Sequence, residues 1–255
     1  MIRQLFLCAA AASLLASCAA GPQRPRTPTK ILERALATAP GAAQPSRIVA
    51  AEIAFARAAR EDGQWTAFRQ FSGPGAIIHG ASGGVAAEGW LARRADPDDA
   101  VQWAPRTIWM SCDAQLAVSQ GRFVTPEGTV GTFVTVWQRQ RDEDYRWVYD
   151  AAAGDDPQPP KKIDAPLAKD EIVVTAIDSV KGLVADCPRS GDERPVLPPE
   201  LSKLRGEAGG WTAPDGTLSF HWRHTGAGTR ELEAWYLADG AWQQALYLAW
   251  PPAQG

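Results

Sequence analysis

Histidine, methionine and cysteine are scarce in this 255-residue chain, at 3, 2 and 4 residues respectively. No two cysteines have zinc-finger spacing and no helical HExxH arrangement occurs, so the sequence predicts no metal centre. His221 and His224 lie three apart in a β-rich run, where such positions point to opposite faces and do not converge on one ion. A Gly-rich phosphate loop is missing, as is the Gly-x-Ser-x-Gly elbow of nucleophilic hydrolases, and no cofactor is expected. Excess charge of either sign is also missing. With 26 basic and 29 acidic residues the net charge is −3, which predicts neither a nucleic-acid footprint nor a funnel for acidic substrates. The apolar run Leu5 to Leu15 falls short of the ~20 residues that a membrane-spanning helix needs. What the chain does have is 45% hydrophobic residues, enough for a packed globule, and 11 tryptophans spread along its length.

The N-terminus reads as an address. Arg3 supplies a positive start, Leu5 to Leu15 an apolar centre, and the whole is a removable signal. The ending Leu15-Ala16-Ser17-Cys18 resembles a bacterial lipobox. That resemblance implies a lipoprotein signal peptide over 1–17 and lipidation of Cys18. With Ala19 next, it also implies a place in the cell envelope, on the periplasmic side of the outer membrane. Each buried CH₂ of an acyl chain contributes ~0.8 kcal/mol, so several chains on one cysteine anchor stably. Residues 18–45 carry Pro22, Pro25, Pro28, Pro40 and Pro45 and read as a Pro/Ala-rich tether. With Cys8 in the signal and Cys18 lipidated, Cys112 and Cys187 are left as an even pair in an oxidising compartment, which favours a disulfide.

Beyond the tether, Ser46 is a candidate N-cap for a helix ending near Asp62, with Gly63 as its stop. Val49, Ile53 and Ala56 form its apolar stripe, widened by Ile48, Phe55 and Ala59. Arg47, Glu52, Arg57, Arg60 and Glu61 fall on the wetter side. Trp65, Phe68 and Phe71 continue at helical spacing. Ser72 to Gly75 breaks the helix, Ala76 to His79 is a brief strand, and Glu88 to Arg94 a third short helix. Four longer β runs follow: Val101 to Met110, Gln115 to Val124, Val130 to Gln140 and Tyr145 to Asp150. In the third, Phe133, Thr135 and Trp137 alternate with Val134, Val136 and Gln138. In the fourth, Tyr145, Trp147 and Tyr149 alternate with Arg146, Val148 and Asp150. Such alternation is the pattern of antiparallel strands with two distinct faces.

Helices followed by consecutive strands give an α+β order, with a curved antiparallel sheet wrapped on N-terminal helices over 46–153. This order, with Phe55 to Ala59, Phe68 to Phe71, Gly89 to Leu91, Thr135 to Trp137 and Trp147 to Asp150, resembles the nuclear transport factor 2-like superfamily. The likeness is to its SnoaL-like and ketosteroid-isomerase-like bacterial branches, and it covers residues 47–152. It implies a cone with a pocket between sheet and helices. In enzymes of those branches a pocket carboxylate, sometimes with a His or Tyr, moves a proton beside a substrate carbonyl. Asp150 takes the carboxylate's place at the end of the last strand, with His79 and Tyr149 as candidate assistants. Trp103, Trp109, Trp137 and Trp147 are candidates for lining the pocket, although large rings on strands mostly fill core.

Residues 154–210 read as a Pro-rich connection with short strands at Ile172 to Ile177 and Leu183 to Ala185, and a helical turn over Glu200 to Arg205. Residues 211–255 read as an antiparallel meander. Leu218, Phe220 and Trp222 share one face, and Asp239-Gly240 makes a tight turn. Three strands are too thin to bury these rings alone, so the meander should pack on the first sheet or extend it.

Three functions fit this reading. The first is a lipid-anchored envelope protein whose pocket binds a small apolar or amphipathic molecule, or a partner, without turnover. The second is an isomerase, cyclase or dehydratase with Asp150 as general base. The third is an envelope scaffold meeting protein or glycan through the C-terminal sheet. An enzyme should bring at least two titratable groups into one pocket, and only Asp150 is a fair candidate from sequence.

Overall fold

The computed structural model describes residues 43–160, 179–188 and 206–252. The signal segment, Cys18, most of the tether, the Ile172–Ile177 strand and the Glu200–Arg205 turn lie outside the described residues. Helix α1 spans Pro45–Glu61 and α2 spans Gln64–Phe71. Ala50, Ala51, Ala54, Ala56, Ala58 and Ala59 give α1 strong intrinsic helicity. Its N-cap is Gln44 with Pro45 in the first turn, so the expected cap at Ser46 is corrected. Proline suits that position because its missing N–H is one of those a helix start leaves unpaired. Gly63, at φ 109°, turns the chain between the two helices. Asp96 then caps α2 from thirty residues away, its Oδ1 accepting from the backbone N–H of Trp65 and Thr66 and its Oδ2 from the Thr66 hydroxyl.

The remaining elements are β1 (Ser72–Gly80), β2 (Gly83–Ala86), the short α3 (Ala87–Leu91), β3 (Gln102–Met110), β4 (Leu116–Val124), β5 (Val130–Arg139), β6 (Tyr145–Gly154), β7 (Lys181–Val184), β8 (Glu207–Thr212), β9 (Leu218–His224), β10 (Arg230–Ala238) and β11 (Ala241–Trp250). The fold is α+β with a large curved sheet. Seven strands form it in the order β2-β1-β6-β5-β4-β3-β7, and the last four form a second sheet in the order β11-β10-β9-β8. From β3 to β6 the large sheet is the expected antiparallel meander. Its outer partners correct the all-antiparallel expectation, since β1 runs parallel to β6 and β7 parallel to β3. Strands joined by a tight hairpin must be antiparallel, whereas long connections such as those to β1 and β7 leave either sense open. The second sheet has four strands rather than three, because β8 begins at Glu207 inside the expected connection.

The helices pack on one face of the large sheet and the second sheet on the other, which gives three layers and two cores. On the helix side Ile48, Phe55 and Ala59 meet Ile108, Met110, Trp137 and Trp147. Burying a ring like Phe55, which is 1% exposed, contributes about 1.5–3 kcal/mol. On the other side Val118, Val134, Val136 and Tyr149 meet Leu218, Phe220, Trp222 and Leu232. Cys112, after β3, and Cys187, after β7, stand at disulfide distance with Cα atoms 5.2 Å apart. The same corner is tied to the second sheet: Cys112 N–H donates to Thr217 Oγ1 at 3.0 Å and Asp113 N–H to Asp215 Oδ2 at 2.7 Å.

Candidate functional site

Between the helices and the large sheet lies a cavity of about 240 Å³. Rings supply much of its wall: Phe55 from α1, Trp65 and Phe68 from α2, Trp90 from α3, Trp103 from β3, Phe123 and Phe133 from β4 and β5. Several meet edge to face, with Trp65 at 87° to Trp90, Phe55 at 71° to Trp103 and Trp65 at 64° to Phe68. Two glycines make room for the sheet's own rings. Gly121 pairs with Phe133 and Gly131 with Phe123 across β4 and β5. A Cβ at Gly121 would stand 2.2 Å from Ala104 O and 2.5 Å from the Phe133 ring, and one at Gly131 would meet Phe123 as closely. Gly80 and Ala152, both exposed, stand at the rim.

One polar row crosses this aromatic interior. Ser119, Thr135 and Asp150 are register partners on β4, β5 and β6, and Asp150 pairs in turn with Ile78 of β1. Thr135 donates its hydroxyl to Asp150 Oδ2 at 2.8 Å. Ser119 donates to Glu52 Oε1 at 2.5 Å, Trp137 Nε1–H to the same oxygen at 3.0 Å, and Trp103 Nε1–H to Oε2 at 3.2 Å. Glu52 is 1% exposed. Burial pushes its carboxyl above the usual range despite those three donors. Asp150 keeps some surface, turned toward the cavity. Burial pushes it up to about 7, the Thr135 hydroxyl pulls it down, and the nearby Glu52 charge raises it again. Near neutral pH such a carboxyl is held partly protonated and can both take and give a proton.

The other expected site residues divide across the sheet. An extra residue, Val148, interrupts the pairing of β6 with β5 between Trp147 and Tyr149. This bulge turns Tyr149 toward the second sheet while Trp147 stays with the helices. Asp150, next along, therefore faces the cavity although strict alternation puts it on the side away from Trp147. His79 and Tyr149 do not join it. The His79 imidazole lies between the sheets, its Nδ1 2.7 Å from the Tyr149 hydroxyl and its Nε2 3.2 Å from His224 Nδ1. Burial, with the Arg230 and His224 charges beside it, pushes His79 down to about 3, so its ring is neutral. Burial likewise pushes the Tyr149 phenol well up. Of the four tryptophans expected to line the pocket, Trp103 does. A second bulge between Pro105 and Thr107 turns Trp109 to the other core. Trp137 and Trp147 are fully buried, holding Glu52 and, through Nε1–H, Phe68 O at 3.1 Å.

Glu52 is the residue that sequence reading put on the wrong side. Helical spacing from Ile48 through Glu52 to Phe55 and Ala59 contains the missed signal, while Ile53, read as part of the stripe, is 59% exposed. Trp65, Trp90, Phe123 and Phe133 were legible as apolar residues but not as a wall, since they come from four separate elements. Among the described residues no group of three or more His, Cys, Asp or Glu is placed to hold a metal, and no helix is long and apolar enough to cross a membrane. The arrangement offers an apolar enclosure with one carboxyl that can exchange a proton near neutrality, and a second carboxyl sealed behind it. No protein-family model matches the chain, and no curated protein matches its sequence.

Proposed function

We propose that the chain is a lipid-anchored envelope protein, held through Cys18, whose nuclear transport factor 2-like cone binds a small, largely apolar molecule without turning it over. The observation that carries this reading is the 240 Å³ cavity walled by aromatic rings, with Asp150 as the one acidic residue among the described residues that line it. Pockets for small molecules are concave, mostly apolar and fitted with a few placed polar groups. The other titratable groups point away or are sealed: His79 and Tyr149 lie between the sheets, and Glu52 is covered by Trp103, Trp137 and Ser119. A proton relay needs at least two converging groups.

A second reading, an isomerase, cyclase or dehydratase with Asp150 as base, is favoured by the rise of that carboxyl to about 7. The binding reading is tested by titrating the full chain with benzyl alcohol and following tryptophan fluorescence, since Trp65, Trp90 and Trp103 line the cavity. A saturable change is expected, abolished by Ala152→Trp at the rim with the unfolding temperature held. A response that does not saturate, or that ignores the rim substitution, overturns the reading.

A further inference from the structure

We propose that the cavity selects a small organic cation, with an ammonium head against Asp150 and a compact apolar body among the rings. This inference rests on the binding reading above and names its ligand class.

Charge within the enclosure points to it. The described residues that line the cavity include an Asp and no Lys or Arg. His79 contributes to the lining, but its ring nitrogens are engaged by Tyr149 and His224 on the far face of the sheet. Asp150 receives Thr135 on Oδ2, and its carboxyl remains turned to the cavity. Glu52 adds a second carboxyl of the same sign within electrostatic reach. Buried carboxylates are stable when a cation or several donors meet them. Here Glu52 has three donors and Asp150 one. An anionic ligand would be repelled, a neutral one would leave Asp150 as it stands, and an ammonium would complete it.

The walls favour the same ligand. Aromatic faces carry negative quadrupole density and attract cations within about 6 Å of the ring centroid. Phe55, Trp65, Phe68, Trp90 and Trp103 meet at steep angles, which presents faces from several directions rather than one flat stack. Trp90 already shows this preference on its outer side, where the Arg94 guanidinium sits 3.9 Å from the ring centroid. The 240 Å³ volume is below the ~300–1,000 Å³ of drug-sized sites, which limits the body to about one ring.

The test compares benzylamine, cationic from pH 6 to 8, with neutral benzyl alcohol of the same shape, by tryptophan fluorescence on the full chain. Benzylamine should bind roughly 10–100-fold more tightly at pH 8, the range of a hydrogen bond to a charged group. Its advantage should shrink toward pH 6 as Asp150 takes a proton. Of the elements around Asp150, α1 brings the titratable Glu52, while β5 brings Thr135 and β1 brings Ile78, neither charged. Binding near pH 7 should release protons, because the Asp150 carboxyl, pushed up to about 7 by burial, is held partly protonated there. Asp150→Asn should erase the benzylamine advantage, so that the two probes bind alike at pH 8. Equal affinity for the two probes, or an advantage that survives Asp150→Asn, overturns the cation assignment and leaves the pocket reading standing. Saturation by neither probe overturns both.

Discussion

Asp150→Asn should stabilise the protein at pH 8 and leave it unchanged at pH 4. The carboxyl is pushed from its ordinary 3.8 to about 7 in the folded chain, so the folded state holds a proton that the unfolded state releases. A group raised on folding favours the folded state most at low pH. Stability then falls as pH climbs from about 4 to about 7 and is level above. At about 1.4 kcal/mol per pH unit, that interval costs up to about 4 kcal/mol. Solvent reaching the cavity screens the charge, and about half that figure is the working expectation. The substitution gives up little, because an amide oxygen still accepts the Thr135 hydroxyl that is the carboxyl's hydrogen-bond donor. A gain near 2 kcal/mol corresponds to ~4–8 °C in Tm for a chain of this size. Urea and thermal unfolding at pH 4, 6 and 8, with and without the substitution, read it directly. A variant less stable than the parent at pH 8, or a difference that does not change with pH, would refute the reasoning. Asp150 would then be a structural hydrogen-bonding group.

Gly121→Ala should overpack the sheet side of the cavity. The new methyl would stand 2.2 Å from Ala104 O and 2.5 Å from the Phe133 ring, so a loss of about 1–3 kcal/mol is expected, together with weaker benzyl alcohol binding. Unchanged stability and binding would mean that the β3 backbone at Ala104 and the Phe133 ring both move aside. Replacing Cys112 and Cys187 by Ser removes a cross-link between positions 75 apart, worth about 4 kcal/mol in the chain-entropy model. Urea midpoints should fall accordingly, and alkylation of both thiols without prior reduction in the parent protein would remove the basis for this expectation.

The elements were legible because their signals are local. Phe133, Thr135 and Trp137 alternate with Val134 and Val136, and the structure sends the first set toward the helices and the second toward the other sheet. Leu218, Phe220 and Trp222 do share a face. Alternation fails where a single residue is added. Val148 and Arg106 each lengthen one strand against its partner, and every side chain beyond the bulge changes side. Tyr149 and Trp109 were therefore assigned to the wrong face. Nothing in the composition of Trp147-Val148-Tyr149 marks the bulge, because each of these residues suits a regular strand. Glu52 failed for another reason. A glutamate is almost always on the wet side of a helix unless paired, and its three partners, Ser119, Trp103 and Trp137, lie on three strands far along the chain.

The second sheet bears on the cavity although none of its residues lines it. Its core is shared with the back of the large sheet, where Tyr149 packs on Phe220 and Trp222 at centroid distances of 4.9 and 5.9 Å. Arg230 of β10 reaches across to donate to His79 O at 3.1 Å and Ala152 O at 2.9 Å. Those carbonyls belong to β1 and β6, next to the rim formed by Gly80 and Ala152 and close to Asp150. A buried guanidinium bonded to two backbone oxygens ties both strands to a third, and the neutral His79 ring fills the space between them without adding charge. Edges of a sheet fray most readily where their contacts are few, and β1 has only the short β2 beyond it. Backing by a second layer fixes the strand that carries Asp150 and the edge that borders the opening. A polar group set among rings can discriminate between ligands only if its position is held by the layer behind it. His79 and Tyr149, expected to assist Asp150, instead join His224 and Arg230 in the layer behind the floor of the cavity.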